Sequence, residues 1–167
     1  MPDLRCPACR ASKVRLAART TLPDALLSGL TIYPFRCQLC GRRFRIFLGC
    51  RTSNPRRSFE RVDVSFPVWF RHRESAFSSN AAKEGTIDNL SIRGCRIRST
   101  APIRIGSRLE LEFQYSDSSF PVTIDEAIVR SAVDGAIGLR FTRLHRDDER
   151  RIRHIVDVWL PETLPSA

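Results

Sequence analysis

Across residues 62–70 every second side chain is apolar: Val62, Val64, Phe66, Val68 and Phe70. A period of two places all five on one face of an extended strand, and no helix gathers that spacing on a single face. The same period returns at Leu109, Leu111, Phe113 and Tyr115, and again at Ile137, Leu139 and Phe141. Val122 and Ile124 are followed by Ala127 and Val129, a change of phase that predicts a bulge near Asp125. Residues 86–90 and 94–98 read as two strands around a turn, with Cys95 and Ile97 directed into the core. The period then changes. Ile152, Ile155, Val156 and Trp159 follow i, i+3, i+4, i+7, an amphipathic helix with Asp147 and Asp148 at its start and Pro161 at its end. Six short antiparallel strands and a terminal helix predict a mainly β fold: a closed barrel capped by a helix.

Charge is distributed unevenly along the 167 residues. Residues 1–54 hold ten Lys/Arg and two Asp/Glu, whereas residues 55–167 hold eighteen and sixteen. Most of the net charge of +10 therefore belongs to the first third of the chain, where it would attract a polyanion. No stretch approaches the roughly 18 apolar residues of a membrane span. Nor does the N-terminus carry the apolar segment of a secretory signal, so a cytoplasmic location is expected. Cytoplasmic thiols stay reduced, and the six cysteines then need a role other than disulfide formation.

Four of them form two Cys-x-x-Cys pairs, Cys6/Cys9 and Cys37/Cys40. Four thiolates complete a tetrahedral shell for structural Zn²⁺, leaving no open position for catalysis. Gly41 suits the tight turn after the second pair. The stretch resembles a zinc ribbon, with a long insertion that includes an apolar piece over residues 25–32. This divides the chain into a ribbon over residues 1–49, a linker over 50–56 with an Asn-Pro turn, and a β-barrel domain over 57–167. Cys50 and Cys95 lie outside this pattern; Cys50, in the linker, is no more than an alternative or extra ligand, and Cys95 has no assigned chemistry.

Arg57 and Arg61 have the spacing Arg-x-x-x-Arg immediately before the strand that begins at Val62. The spacing alone means little, because it recurs at Arg15/Arg19, Arg104/Arg108 and Arg146/Arg150. Asn89-Leu90-Ser91-Ile92-Arg93-Gly94 adds the pattern Asn-x-Ser-x-x-Gly at a strand-to-turn boundary. In this order, followed by several strands, Gly138-Leu139-Arg140-Phe141 and a helix, residues 55–160 resemble the PilZ domain, a bacterial receptor module for cyclic di-GMP with a six-stranded barrel.

That resemblance implies a ligand set of Arg57, Arg61, Asn89, Ser91 and Gly94, with Arg56 and Arg93 as helpers. The chemistry is coherent. An arginine fork pairs with phosphate in bidentate fashion, matches the O6 and N7 acceptors of guanine and stacks on a base. Asn89 and Ser91, two apart on a strand, face one side and can hydrogen-bond a guanine edge. Gly94 would supply an unusual backbone angle and a close approach of the ligand.

His72, His145 and His154 have no motif-defined nucleophile or carboxylate partner, and no phosphate-cradling loop or Gly-x-Ser-x-Gly elbow occurs. A binding module is expected rather than an enzyme. Ligand would clamp the arginine-rich linker on the barrel and change how the ribbon is presented to a protein effector. Two other readings are a nucleic-acid-binding ribbon, through Arg42, Arg43 and Arg45 with Phe44 and Phe47, and a PilZ scaffold that binds only protein.

Overall fold

The computed structural model describes residues 4–50, 52, 55, 58–73, 81–116 and 120–161. The chain divides into two compact units, residues 1–60 with 160–167, and residues 61–159. Arg56 and Arg57 lie outside the described residues.

The first unit contains β1 (Val14–Leu16), α1 (Leu22–Gly29), β2 (Ile32–Cys37) and β3 (Arg43–Phe47), with the strands in antiparallel order β1-β2-β3. Its core is formed by Val14, Ala17, Tyr33, Phe35 and Leu39, with Phe44 stacked on Phe35 at a centroid distance of 6.4 Å. The insertion between the cysteine pairs, read as a mixed stretch in the sequence, is thus occupied by β1, α1 and most of β2. The helix has clear local causes. Thr21 caps it, its hydroxyl accepting the Asp24 N–H at 3.4 Å, and Pro23 stands in the first turn, where no backbone donor is needed. Thr31, at φ 57°, turns the chain from the helix end into β2.

The second unit is the closed barrel. Its strands are β4 (Val62–His72), β5 (Lys83–Ser91), β6 (Gly94–Arg98), β7 (Arg108–Phe113), β8 (Val122–Val133) and β9 (Ala136–Arg143), followed by α2 (Arg146–Trp159). Neighbours run β4-β5-β6-β9-β8-β7, and β4 pairs again with β7 to close the ring. Every alternating set read from the sequence points inward, with Phe70, Ile87, Leu90, Ile97, Leu109, Leu111, Phe113 and Ile124 at most 1% exposed. Tyr115 falls beyond the end of β7.

The predicted bulge is present. Leu109 pairs with Ala127 and Leu111 with Ile124, so Glu110 alone faces both Asp125 and Glu126. Cys95 is buried beside Ile97 in the core, where loss of water pushes its thiol pKa far up. Helix α2 buries Ile152, Ile155 and Val156, and the Trp159 ring meets Phe66 edge-on at 6.2 Å. His145 starts the helix: its carbonyl accepts the Glu149 N–H and its Nδ1 accepts the Asp147 N–H. Among the described residues no helix is long and apolar enough to cross a membrane.

Candidate functional site

Two sites emerge, one in each unit. In the first, the Sγ atoms of Cys6, Cys9, Cys37 and Cys40 all lie within 4.8 Å of one another. The Cys6–Cys40 and Cys9–Cys37 sulfur separations are both 3.6 Å. Four sulfurs placed tetrahedrally about a metal at roughly 2.3 Å stand about 3.8 Å apart. The two knuckles are built alike. Cys6 accepts the Arg10 N–H through its carbonyl and donates its own N–H to Ala11. Cys37 does the same with Gly41 and Arg42. Arg10 and Gly41 both have the left-handed backbone this turn demands, at φ 59° and 74°.

The thiol chemistry also suits a cation. Burial works against ionisation of Cys6, but the backbone N–H groups of Cys9 and Ala8 and the Cys40 thiol outweigh it and bring the pKa down to about 7. Burial pushes Cys9 and Cys37 up. A divalent ion placed between the sulfurs would reverse that penalty, and the cluster could therefore hold a metal. Cys50 is exposed and stands outside the cluster.

The second site is on the outside of the barrel, across β4, β5, β6 and β9. Val62 pairs with Leu90, Leu90 with Cys95 and Cys95 with Leu139, a row that faces the core. The rows on either side face outward. In one, Ser91 pairs with Gly94 and Gly94 with Arg140, and Arg61 comes level with Ser91, one residue before Val62. In the other, Asp63 pairs with Asn89, Asn89 with Arg96 and Arg96 with Gly138.

A bulge makes this possible. Ile87 pairs with Ile97 but Asn89 with Arg96, leaving Asp88 as an extra residue in β5. Ile87 and Leu90 both point inward although three residues apart, and Asn89 and Ser91 are thereby turned outward. In a regular strand without the bulge, Asn89, two residues after Ile87, would share its core face.

Each side chain is held in place. Ser91 Oγ donates to the Gly94 carbonyl at 3.0 Å and accepts the Arg93 N–H at 3.4 Å, locking the turn between β5 and β6. Asn89, with its amide oxygen toward Arg96, accepts from Nε at 3.1 Å and Nη2 at 3.2 Å. Asp88 fixes that guanidinium in turn, accepting from Arg96 Nε at 2.7 Å and from Arg98 Nε at 3.0 Å. Asn89 and Ser91 are buried, whereas Arg61, Arg93 and Arg140 are exposed.

Gly94 corrects one expectation. Its φ is not in the left-handed region. What it lacks is room: an added Cβ would overlap the Leu139 carbonyl oxygen and press on Arg140 Cα at 3.3 Å. Glycine here lets β6 lie close to β9, a packing reason rather than an unusual backbone angle.

The structure brings Arg61, Asn89, Ser91, Arg93 and Gly94 to one surface. It adds Arg96 and Arg140, which the implied ligand set does not include. Arg96 was accessible from the pattern, since it lies two residues after Gly94 on the same strand face; Arg140 required the β6–β9 register. In the ribbon, Arg43 and Arg45 are committed to Asp24 at 2.6 and 3.0 Å, and Phe44 packs on Phe35.

A family model described as PilZ domain matches residues 55–157. Three solved structures are similar. The PilZ domain of CeSA from a cellulose synthesizing bacterium is 14% identical, over 58% of this chain and 94% of that one, with a TM-score of 0.45. The PilZ domain with c-di-GMP of YcgR from Escherichia coli is 16% identical, over 63% and 92%, with a TM-score of 0.47. The Bacillus subtilis inhibitor of motility MotI/DgrA is 17% identical, over 70% and 53%, with a TM-score of 0.48. No curated protein gives a significant match.

Proposed function

The chain belongs to the PilZ domain family, and from that premise we propose that it is a cyclic di-GMP receptor whose ligand lies on the outer rows of the barrel. The observation that carries this reading is the outward rotation of Asn89 and Ser91 by the Asp88 bulge, level with Arg61 and Arg96. Gly94, whose Cβ space is filled by the Leu139 carbonyl, keeps β6 against β9 and so holds Arg140 beside the Ser91 row. Asn89 and Ser91 present hydrogen-bonding groups to a guanine edge. Arg61, with Arg57 and Arg56 from the preceding segment, supplies bidentate donors for the two phosphates and for guanine O6 and N7. Arg93 is a helper at the turn.

In this proposal the ligand draws the arginine segment on to the barrel and so alters the presentation of the ribbon to a protein effector. Zinc, held by Cys6, Cys9, Cys37 and Cys40, serves as structural support. Binding, not catalysis, is the proposed activity. A charge-assisted hydrogen bond contributes roughly 1.5–3 kcal/mol, so each arginine removed weakens binding about ten-fold or more. Calorimetric titration of the wild type and of Arg57→Ala and Arg61→Ala with cyclic di-GMP tests the reading. Absence of binding, or unchanged affinity in both variants, contradicts it.

A further inference from the structure

Helix α1 is inside out. Its charged residue, Asp24, is 1% exposed and held by Arg43 and Arg45, whereas Leu22 is 79% exposed and Leu26 is 72%. Pro23, Ala25 and Gly29 are also exposed, and Leu30 at the helix end is 65% exposed. Leu22, Leu26 and Leu30 follow i, i+4, i+8, and so form one stripe. Phe47 extends the apolar surface. It shares a face of β3 with Arg43 and Arg45, the residues that grip Asp24 on the helix, and it pairs with Ile32, two residues after Leu30. At 66% exposed it has no cover. Packing within the unit explains Asp24 pointing inward, but it gives the leucines nothing to pack against.

The charge of the unit identifies what would cover the stripe. Among its described residues the carboxylates are Asp24, which is buried, and Glu60, which is paired with Arg15. The same residues carry nine Lys/Arg, with Arg5, Arg10 and Arg42 exposed. An apolar stripe on a unit with a large excess of cations complements a bilayer whose headgroups are negative and whose interior is apolar. Bringing two copies together through this face would set like charges against each other. The helix has eight residues, too short to span, and would lie in the interface plane. We infer that α1 with Phe47 is a docking surface for an anionic membrane, the leucines entering the headgroup boundary and the arginines meeting lipid phosphate. This inference is independent of nucleotide binding by the barrel.

Flotation of the full chain with vesicles tests it, using phosphatidylglycerol mixed with phosphatidylcholine and phosphatidylcholine alone. The wild type floats with the mixed vesicles only, and less as salt rises. Leu22→Gln with Leu26→Gln, both at exposed positions, weakens partitioning at least about ten-fold. That variant keeps the metal content of the wild type, which shows that the first unit is folded. Three results overturn the inference: no flotation with the anionic vesicles, equal flotation of wild type and variant, or a dimer that the variant loses while neither form floats.

Discussion

The Gln38 side-chain carbonyl accepts the Glu60 N–H at 2.7 Å. Gln38 stands between two of the clustered cysteines, Cys37 and Cys40, and Glu60 immediately precedes Arg61. Its amide also donates to the Arg36 carbonyl at 3.2 Å, so the side chain is buried and satisfied on both sides. Arg15 adds an ion pair to Glu60 at 3.1 Å, and Arg36 lies over the Phe59 ring. The second cysteine knuckle thus grips the chain next to one of the arginines in the proposed ligand set.

Gln38→Ala removes that grip without touching a thiol. The Glu60 amide loses its partner, and a hydrogen bond of this kind contributes about 1 kcal/mol net. Amide hydrogen exchange at Glu60 should quicken by about five-fold or more, with the metal content unchanged.

Removing the metal should affect one unit far more than the other. The first unit has a core of a few side chains, too small to fold securely without a staple. The barrel has its own closed core and holds none of the clustered cysteines. A strong chelator is expected to abolish amide protection over residues 6–48 while leaving protection across the barrel strands. Metal analysis of the untreated chain should find one Zn²⁺ per molecule.

Asp24 makes the stability of the first unit depend on acidity. Burial raises the Asp24 pKa, but the Thr21 hydrogen bond and the Arg45 and Arg43 guanidinium groups outweigh it and hold the carboxyl below its ordinary value. A depressed folded-state pKa gives stability that is present above the unfolded value, about 3.9, and is lost as pH falls through the lower folded value. Asp24→Asn removes the charge that holds Arg43 and Arg45, both partly exposed and able to return to water, and should cost about 1–2 kcal/mol at neutral pH. In unfolding measured at a series of pH values, the gap between wild type and variant should narrow as the pH falls through that range.

Gly94→Ala is expected to destabilise the barrel by about 2 kcal/mol or more, because the new methyl meets the Leu139 carbonyl across the β6–β9 pair. Thermal unfolding of the barrel measures this. Loss of ligand binding in that variant would report folding as well as contact, so Asn89→Ala and Ser91→Ala are the cleaner probes of the site.

Much of the barrel was legible because strand alternation survives translation into burial with almost no loss. Val62 to Phe70 lie inward as read, and even the bulge at Asp125 and Glu126 appears as a break in the period. The knuckles were legible for a different reason: two thiolates around one ion need a fixed short spacing. Helix α1 was hidden because its pattern is inverted, with leucines outward and the aspartate inward, so hydrophobicity alone points to the wrong face. The second bulge, at Asp88, left only the three-residue spacing of Ile87 and Leu90 as its mark, and the polar Asn89 and Ser91 gave no period to place it without the register with β6. Arg140 entered the site only through the pairing of Gly94 with a strand more than forty residues later.

The most direct test of the account is an amide-resolved NMR titration of the metal-loaded chain with cyclic di-GMP. Large shifts are expected at Arg61, Asn89, Ser91, Arg93, Gly94 and Arg96, with small ones on the opposite side of the barrel along β7. Absence of shifts at saturating nucleotide, or shifts centred on β7 and β8 with the Asn89 row unmoved, would contradict it.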